Sequence, residues 1–234
     1  CDGDGETNGE EVMNGTDPFD PCSVTTPTAQ VDPMMPGTAA QNAYDIWAAA
    51  DCDGDGDPNG TDPAPEDPCD FTAGSTPDPT NPIWQAADCD GDGTPNGVDP
   101  DPTDPCSDDG VIGDEDTTNA IWQAADCDGD GTSNGTDTEP YDPCVDDGTI
   151  GDEDTTNAIW QAADCDGDGE TNGTEDMNGS DPNDPCSVSG VPTIPAPADP
   201  NYDVWAAADC DGDGETNGEE VMNGTDPFDP CSVT

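Results

Sequence analysis

The chain carries no basic residue at all. Its 234 residues include 58 Asp plus Glu and no Lys, Arg or His, for a formal charge of −58. No carboxylate can find a side-chain cation within the molecule, so any packed state must draw neutralising charge from outside. Apolar residues are too few to force collapse: 29% are hydrophobic and 5% aromatic, among 28 Gly and 26 Pro. Unassisted, a chain of this kind stays disordered, because burial cannot offset its conformational entropy. Two features oppose that outcome. The 12 Cys are even in number, and the acids stand at fixed spacing instead of in runs.

The same composition removes whole classes of function. Without side-chain cations there is no footprint for nucleic acid or for an anionic membrane surface. Base catalysis by His, Schiff-base chemistry by Lys and phosphate clamping by Arg are impossible, and no enzyme is expected. No apolar run approaches membrane-spanning length. The chain opens on Cys1 instead of Met, with no signal peptide, so a processed or excerpted product is expected.

Internal repeats organise the sequence. Asp-Cys-Asp-Gly-Asp-Gly recurs at Cys52, Cys89, Cys127, Cys165 and Cys210, and Cys1 opens a sixth copy without its leading Asp. Each copy closes on Asp-Pro-Cys, at Cys22, Cys69, Cys106, Cys144, Cys186 and Cys231. Opening and closing Cys stand 17 residues apart in three repeats and 21 apart in the other three. This gives repeats over 1–22, 43–69, 81–106, 117–144, 155–186 and 201–231. Between them lie a Thr/Pro-rich linker (23–42), a linker (70–80), acidic spacers (107–116 and 145–154) and a Pro-rich linker (187–200). Residues 1–25 reappear unchanged as 210–234, a period of 209 residues. The expectation is a window on a longer tandem array.

Each loop has the spacing by which twelve residues wrap oxygen ligands around Ca²⁺. Position 1 is Asp51, Asp88, Asp126, Asp164 or Asp209. Position 3 is Asp2, Asp53, Asp90, Asp128, Asp166 or Asp211, and position 5 is Asp4, Asp55, Asp92, Asp130, Asp168 or Asp213. Gly at position 6 permits the sharp turn. Position 7, which offers a backbone carbonyl, is Glu6, Asp57, Thr94, Thr132, Glu170 or Glu215. Asn8, Asn59, Asn96, Asn134, Asn172 and Asn217 fill position 9, and Glu11, Asp62, Asp99, Asp137, Glu175 and Glu220 fill position 12. Glu there binds bidentately more readily than the shorter Asp. An acidic turn made only for solubility would scatter its acids; here Gly and Asn recur at fixed places. Oxygen ligands suit a hard cation, so zinc is not expected despite the Cys, and Mg²⁺ tolerates so many protein oxygens poorly. Asp17, Asp20, Asp226 and Asp229 are either second-site ligands or turn residues.

Residues 209–227 resemble the bacterial thrombospondin type 3 repeat, and more narrowly its Cys-bearing variant in long surface proteins of Bacteroidota. The resemblance covers the six acidic units. It implies calcium-wrapped rods lacking an ordinary core and exported to the cell surface. In that phylum export often uses the type IX pathway, whose C-terminal signal is absent from this stretch. It also implies O-glycosylation at the Asp-Thr-Thr motifs of Thr117 and Thr155.

Between loops, residues 116–125 read as a short helix capped by Asp or Thr, with Ile121, Trp122 and Ala125 on one face. A Trp stands five residues before each opening Cys with sequence ahead of it: Trp47, Trp84, Trp122, Trp160 and Trp205. These favour small local cores over carbohydrate platforms, with Ile46, Ile83, Ile121, Ile159 or Val204 as packing partners. Twelve Cys indicate an oxidising, extracellular setting. Pairing within repeats (Cys1–Cys22, Cys52–Cys69, Cys89–Cys106, Cys127–Cys144, Cys165–Cys186 and Cys210–Cys231) leaves no orphan and is preferred. Pairing between repeats, as in Cys69–Cys89, would leave Cys1 and Cys231 reaching outside the chain. Asn14, Asn178 and Asn223 lie in Asn-Gly-Thr/Ser sequons, as do the loop residues Asn59, Asn134 and Asn172, for which an ordinary turn is the better reading.

The expected fold is therefore a loop-rich tandem-repeat rod with short helices, stapled by calcium and disulfides, without a large hydrophobic core. The expected function is structural: an extracellular stalk, fibril or filament whose partners are further copies of itself, with glycans as additions. The alternative is an adhesin spacer or a surface module that binds protein or carbohydrate.

Overall fold

The computed structural model describes residues 2–25, 30, 34, 37–107, 113–145, 151 and 153–232. Cys1 and parts of the 23–42 linker and of the 107–116 and 145–154 spacers lie outside them. The chain divides into two compact parts, Cys1–Trp122 and Gln123–Thr234. Among the described residues both are loops and turns broken by short helices, with no strand. In chain order the helices are α1 (Asn8–Asn14), α2 (Ala39–Ala49), α3 (Pro82–Ala86), α4 (Ala120–Ala124), α5 (Ala158–Ala162), α6 (Asn172–Asn178), α7 (Tyr202–Ala207) and α8 (Asn217–Asn223). None is long and apolar enough to cross a membrane.

Helices α2, α3, α4, α5 and α7 lead into loops and carry the Trp residues. Each Trp is buried, from 8% exposed at Trp84 to 1% at Trp205, and with Cys89 and Cys127 they make up the apolar core. Tyr44 and Tyr202 stack near Trp47 and Trp205, at centroid distances of 5.8 and 5.6 Å. The expected Ile and Val partners are not buried with them: Ile46, Ile83, Ile121, Ile159 and Val204 stay about half exposed. In the helices of five or six residues the large indole is the one buried side chain.

The caps also differ from expectation. Asn119 starts α4, its Oδ1 accepting from the N–H groups of Ile121 and Trp122 at 2.8 and 3.4 Å. Asn81 and Asn157 do the same for α3 and α5. Asp116, the expected cap, turns back onto Thr118 instead. After its Trp helix the chain folds so that the loop closes on it: Asn59 N–H donates to Ala50 O at 2.7 Å and Gly60 N–H to Ala48 O at 3.0 Å. Asn96, Asn172 and Asn217 repeat the first of these bonds onto Ala87, Ala163 and Ala208.

Helices α1, α6 and α8 follow loops, in the three repeats with the longer Cys spacing. Thr7 and Thr216 each form a reciprocal capping box with a Glu three residues on, and Gly15, Gly179 and Gly224 end the helices in the left-handed conformation. The Asn-Gly pairs at Asn14, Asn178 and Asn223 are thus helix C-termini, with the Asn exposed.

The disulfides overturn the preferred pairing. The bonds are Cys22–Cys52, Cys69–Cys89, Cys144–Cys165 and Cys186–Cys210, with Cα separations of 5.0–5.2 Å. Cys106 and Cys127 are disulfide-bonded as well, and Cys231 is free and exposed. None of the six within-repeat bonds survives: one partner or both in each is bonded elsewhere or, for Cys231, unbonded, and Cys1 lies outside the described residues. The chain leaves each acidic loop where the next Trp helix arrives. Trp47 lines one cavity with Pro21 and Cys22, and Trp160 another with Pro143 and Cys144. The next opening Cys, five residues past its Trp, is therefore delivered to the preceding closing Cys.

Candidate metal sites

Six positions of the loop pattern divide into braces and a free oxygen set. The position 1 acids are braces. Asp51 accepts from Gly54 N–H through Oδ1 at 2.8 Å and from Gly56 N–H through Oδ2 at 3.0 Å. Asp88, Asp126, Asp164 and Asp209 do likewise. These bonds bend the loop around its interior while leaving lone pairs on both oxygens.

At positions 3 and 5 each Asp except Asp2 spends one oxygen on the backbone two residues ahead. Asp53 Oδ1 accepts from Asp55 N–H at 3.3 Å, and Asp55 Oδ1 from Asp57 N–H at 2.7 Å. Their Oδ2 atoms are buried without a hydrogen-bond partner, as are those of Asp128, Asp130, Asp166, Asp168, Asp211 and Asp213. In the first repeat Asp4 keeps one such oxygen and Asp2 two.

Position 12 separates two classes of site. Glu11, Glu175 and Glu220 are fully buried, and both oxygens of each are unpartnered. Asp62, Asp99 and Asp137 accept from Ala64, Asp101 and Glu139 N–H through Oδ1, which leaves only Oδ2. The side chain shorter by one methylene is taken up by its own turn.

Position 9 corrects the sequence reading. The Asn side chains fasten the loop and are not aimed into it. Asn59 Oδ1 accepts from Cys52 N–H at 3.1 Å, while Nδ2 donates to Trp47 O at 3.0 Å and lies 3.1 Å from Cys52 Sγ. Asn217 is placed identically against Cys210 and Trp205. Asn96, Asn134 and Asn172 hold Cys89, Cys127 and Cys165. The amide is needed because it donates and accepts at once, which a carboxylate cannot.

At position 7 the side chains of Asp57, Glu170 and Glu6 turn to residues further along the chain. Asp57 accepts from Ser75 Oγ at 2.5 Å and from Thr72 N–H at 2.6 Å; Glu170 holds Ser189, and Glu6 holds Thr16 and Thr25. Thr94 and Thr132 are buried there instead, their N–H groups on Asp92 and Asp130. Asp17, Asp20, Asp226 and Asp229 each accept from an N–H two residues on, the geometry of turn residues. Thr117 and Thr155 are exposed.

Electrostatics mark the same atoms. Burial, then neighbouring carboxylates, pushes Asp53, Asp90, Asp128 and Asp166 up to about 7 and Asp55 up to about 6. Glu175 is pushed up to about 8, by burial first and then by Asp166, Asp168, Glu170 and Asp164. Buried carboxylates with no counter-charge are costly to ionise. Carboxylate oxygens from Asp2, Asp4 and Glu11 lie within 4.8 Å of one another, as do those of Asp51, Asp53 and Asp55; Asp88, Asp90 and Asp92; Asp126, Asp128 and Asp130; and Asp164, Asp166 and Asp168. The donor set is all oxygen, converging and undersatisfied, and it fits a hard metal cation.

Comparison with known proteins agrees with this geometry. Residues 1–21, 164–185 and 209–230 match the family described as Bacterial TSP3 repeat, so the chain carries bacterial thrombospondin type 3-like repeats. No curated protein and no solved structure matches. The three matched stretches are those with Glu at position 12 and a helix behind the loop.

Proposed function

We propose that these repeats are a calcium-ordered structural element of an extracellular stalk or filament. The observation that carries the reading is the set of buried carboxylate oxygens without partners, with Glu11, Glu175 and Glu220 at 0% exposure. Asp and Glu at positions 1, 3, 5 and 12 would hold the ion, which supplies the positive charge the chain lacks. Calcium suits the site better than Mg²⁺, which dehydrates reluctantly and takes few all-protein ligand sets.

Binding is then coupled to folding, because clustered carboxylates repel until the cation arrives. Six ions would offset only a small part of the −58 charge. The remaining charge keeps the surface strongly anionic and hydrated. The disulfides support an oxidising, extracellular setting.

The test is hydrogen exchange on the oxidised chain with calcium and after chelation. Calcium should protect loop and Trp-helix amides in every repeat. Equal exchange rates in both conditions would overturn the reading.

A further inference from the structure

The sequence Asp-x-Thr-Asn recurs at 78–81, 116–119 and 154–157, each time directly ahead of a Trp helix. All three tetrads fold on themselves. The Thr Oγ1 donates to the Asp Oδ1 at 2.7 Å, and the Asn N–H donates to the Asp carbonyl at 2.8–3.0 Å. The metal chemistry proposed above uses none of these residues.

The Asn of each tetrad faces two ways. Asn81 Oδ1 accepts from Ile83 and Trp84 N–H at 2.8 and 3.4 Å, which starts α3, while its Nδ2 donates to Cys52 O at 3.2 Å. Asn119 and Asn157 make the same bonds for α4 and α5, with Nδ2 on Cys89 O and Cys127 O at 3.1 Å. The tetrad Asp adds a second tie to the same loop. Asp78 N–H donates to Gly54 O at 2.8 Å, and Asp116 and Asp154 N–H donate to Gly91 and Gly129 O at 2.9 Å. The two carbonyls held this way belong to the residues just before and just after the buried position 3 acid, Asp53, Asp90 or Asp128. The seat is close, since a Cβ on Gly54, Gly91 or Gly129 would stand 2.4 Å from the Asn Cβ. Asn201 has half of the device: its Nδ2 donates to Asp164 O at 2.9 Å, but its side chain does not cap α7.

The helix that the Asn starts also carries the next loop. Against α3, Asn96 N–H donates to Ala87 O at 2.7 Å and Gly97 N–H to Gln85 O at 3.1 Å. Against α5, Asn172 N–H donates to Ala163 O at 2.8 Å, and a Cβ on Gly173 would stand 2.9 Å from Gln161 Cβ. We infer that Asn81 and Asn157 are positioning residues that couple the metal site of one loop to the site of the next. An ion that fixes loop 51–62 fixes the Cys52 and Gly54 carbonyls. These hold Asn81, and Asn81 starts the helix on which loop 88–99 closes. By linkage the second site supports the first equally. An amide is required, because one end donates to a carbonyl while the other accepts from N–H groups. The inference rests on the proposed function and extends it from separate sites to a linked series.

The experiment follows hydrogen exchange of loop 88–99 in the full oxidised chain at graded free calcium. Disabling the preceding site with Asp53→Asn and Asp55→Asn should raise the calcium needed to protect 88–99 about fivefold or more. Asn81→Asp keeps the oxygen that caps α3 and turns an acceptor toward Cys52 O in place of the donor. In that background the same two substitutions should shift the midpoint by less than about twofold, and the difference is the coupling carried by the amide. The second part of the chain repeats the cycle with Asp128→Asn, Asp130→Asn and Asn157→Asp, read over 164–175, so that one poorly folded variant does not decide the result. No shift in the parent background, or equal shifts with and without the Asn substitution, would overturn the inference. Calcium protection of both loops in the parent chain judges the proposed function separately: protected loops with independent midpoints would leave that reading standing and remove only the coupling.

Discussion

Glu175→Gln should move the two states of its repeat in opposite directions. The Glu175 carboxyl is fully buried, both oxygens lack partners, and its pKa is pushed from 4.5 up to about 8. At pH 7 the unfolded chain has ionised this group and the metal-free fold largely has not. That mismatch spans pH 4.5 to 7, and at about 1.4 kcal/mol per pH unit it costs the metal-free repeat about 3 kcal/mol. Gln removes the titration and should return stability up to that amount. In calcium the same change deletes a charge and replaces one oxygen donor with an N–H group. Losing a charged contact worth about 3 kcal/mol weakens binding roughly a hundredfold. Hydrogen exchange over 164–180, with and without calcium, reads both effects, and chelator competition gives the affinity. A variant less stable than the parent without metal, or binding calcium as tightly as the parent, would refute the reasoning.

Other outcomes follow from the same geometry. Raised carboxyl pKa values mean that the metal-free fold is most stable at acid pH and loses that stability as pH rises from the ordinary carboxylate values of 3.8 and 4.5 up to the raised values of about 6 to 8. Calcium-loaded protein should show the reverse trend, as protons displace the ion on acidification, and circular dichroism against pH checks both. Gly54 has φ +85° and a Cβ there would stand 2.4 Å from Asn81 Cβ, so Gly54→Ala should cost about 1–2 kcal/mol from backbone strain alone. Faster exchange of the α3 amides would register it. Cleavage after Glu66 without reductant should free its two sides, since Cys22–Cys52 and Cys69–Cys89 each lie on one side; fragments that stayed joined would restore the Cys52–Cys69 pairing. Replacing both Cys69 and Cys89 with Ala should destabilise that joint by about 3 kcal/mol for a 20-residue separation, measured by urea unfolding in calcium.

The acids at positions 3, 5 and 12 were legible from spacing, because a wrapped loop imposes its period directly on the sequence. The consequence of Asp against Glu at position 12 was also visible, and Asp62 shows its cause in the bond from Ala64 N–H. Asn59 and its equivalents were not legible as braces. Asn is a ligand type in such loops, and only the three-dimensional approach of Trp47 O and Cys52 claims both ends of the amide. Helices α1 and α8 carried a readable signal, Thr-x-x-Glu at Thr7 and Thr216 with Gly eight residues on, which the acidic pattern overshadowed. The disulfide register was hidden for a different reason. Counting Cys rewards a pairing without orphans, whereas the bond is decided by where each Trp helix lands.

A bond from one repeat's end to the next repeat's start also sets how the chain meets a pull. Between Cys22 and Cys52 the sulfur link is a shortcut, so load bypasses the backbone between the two cysteines. Traction re-enters the backbone at Cys52 and crosses to Cys69 through the acidic loop itself. The second part of the chain repeats this, with residues 166–185 in the line of force between its two bridges. The stretch that must lengthen is the one whose buried carboxylates the proposed calcium would gather, so extensibility should depend on dissolved calcium. Single-molecule pulling with and without chelator should show rupture steps of loop length, not linker length.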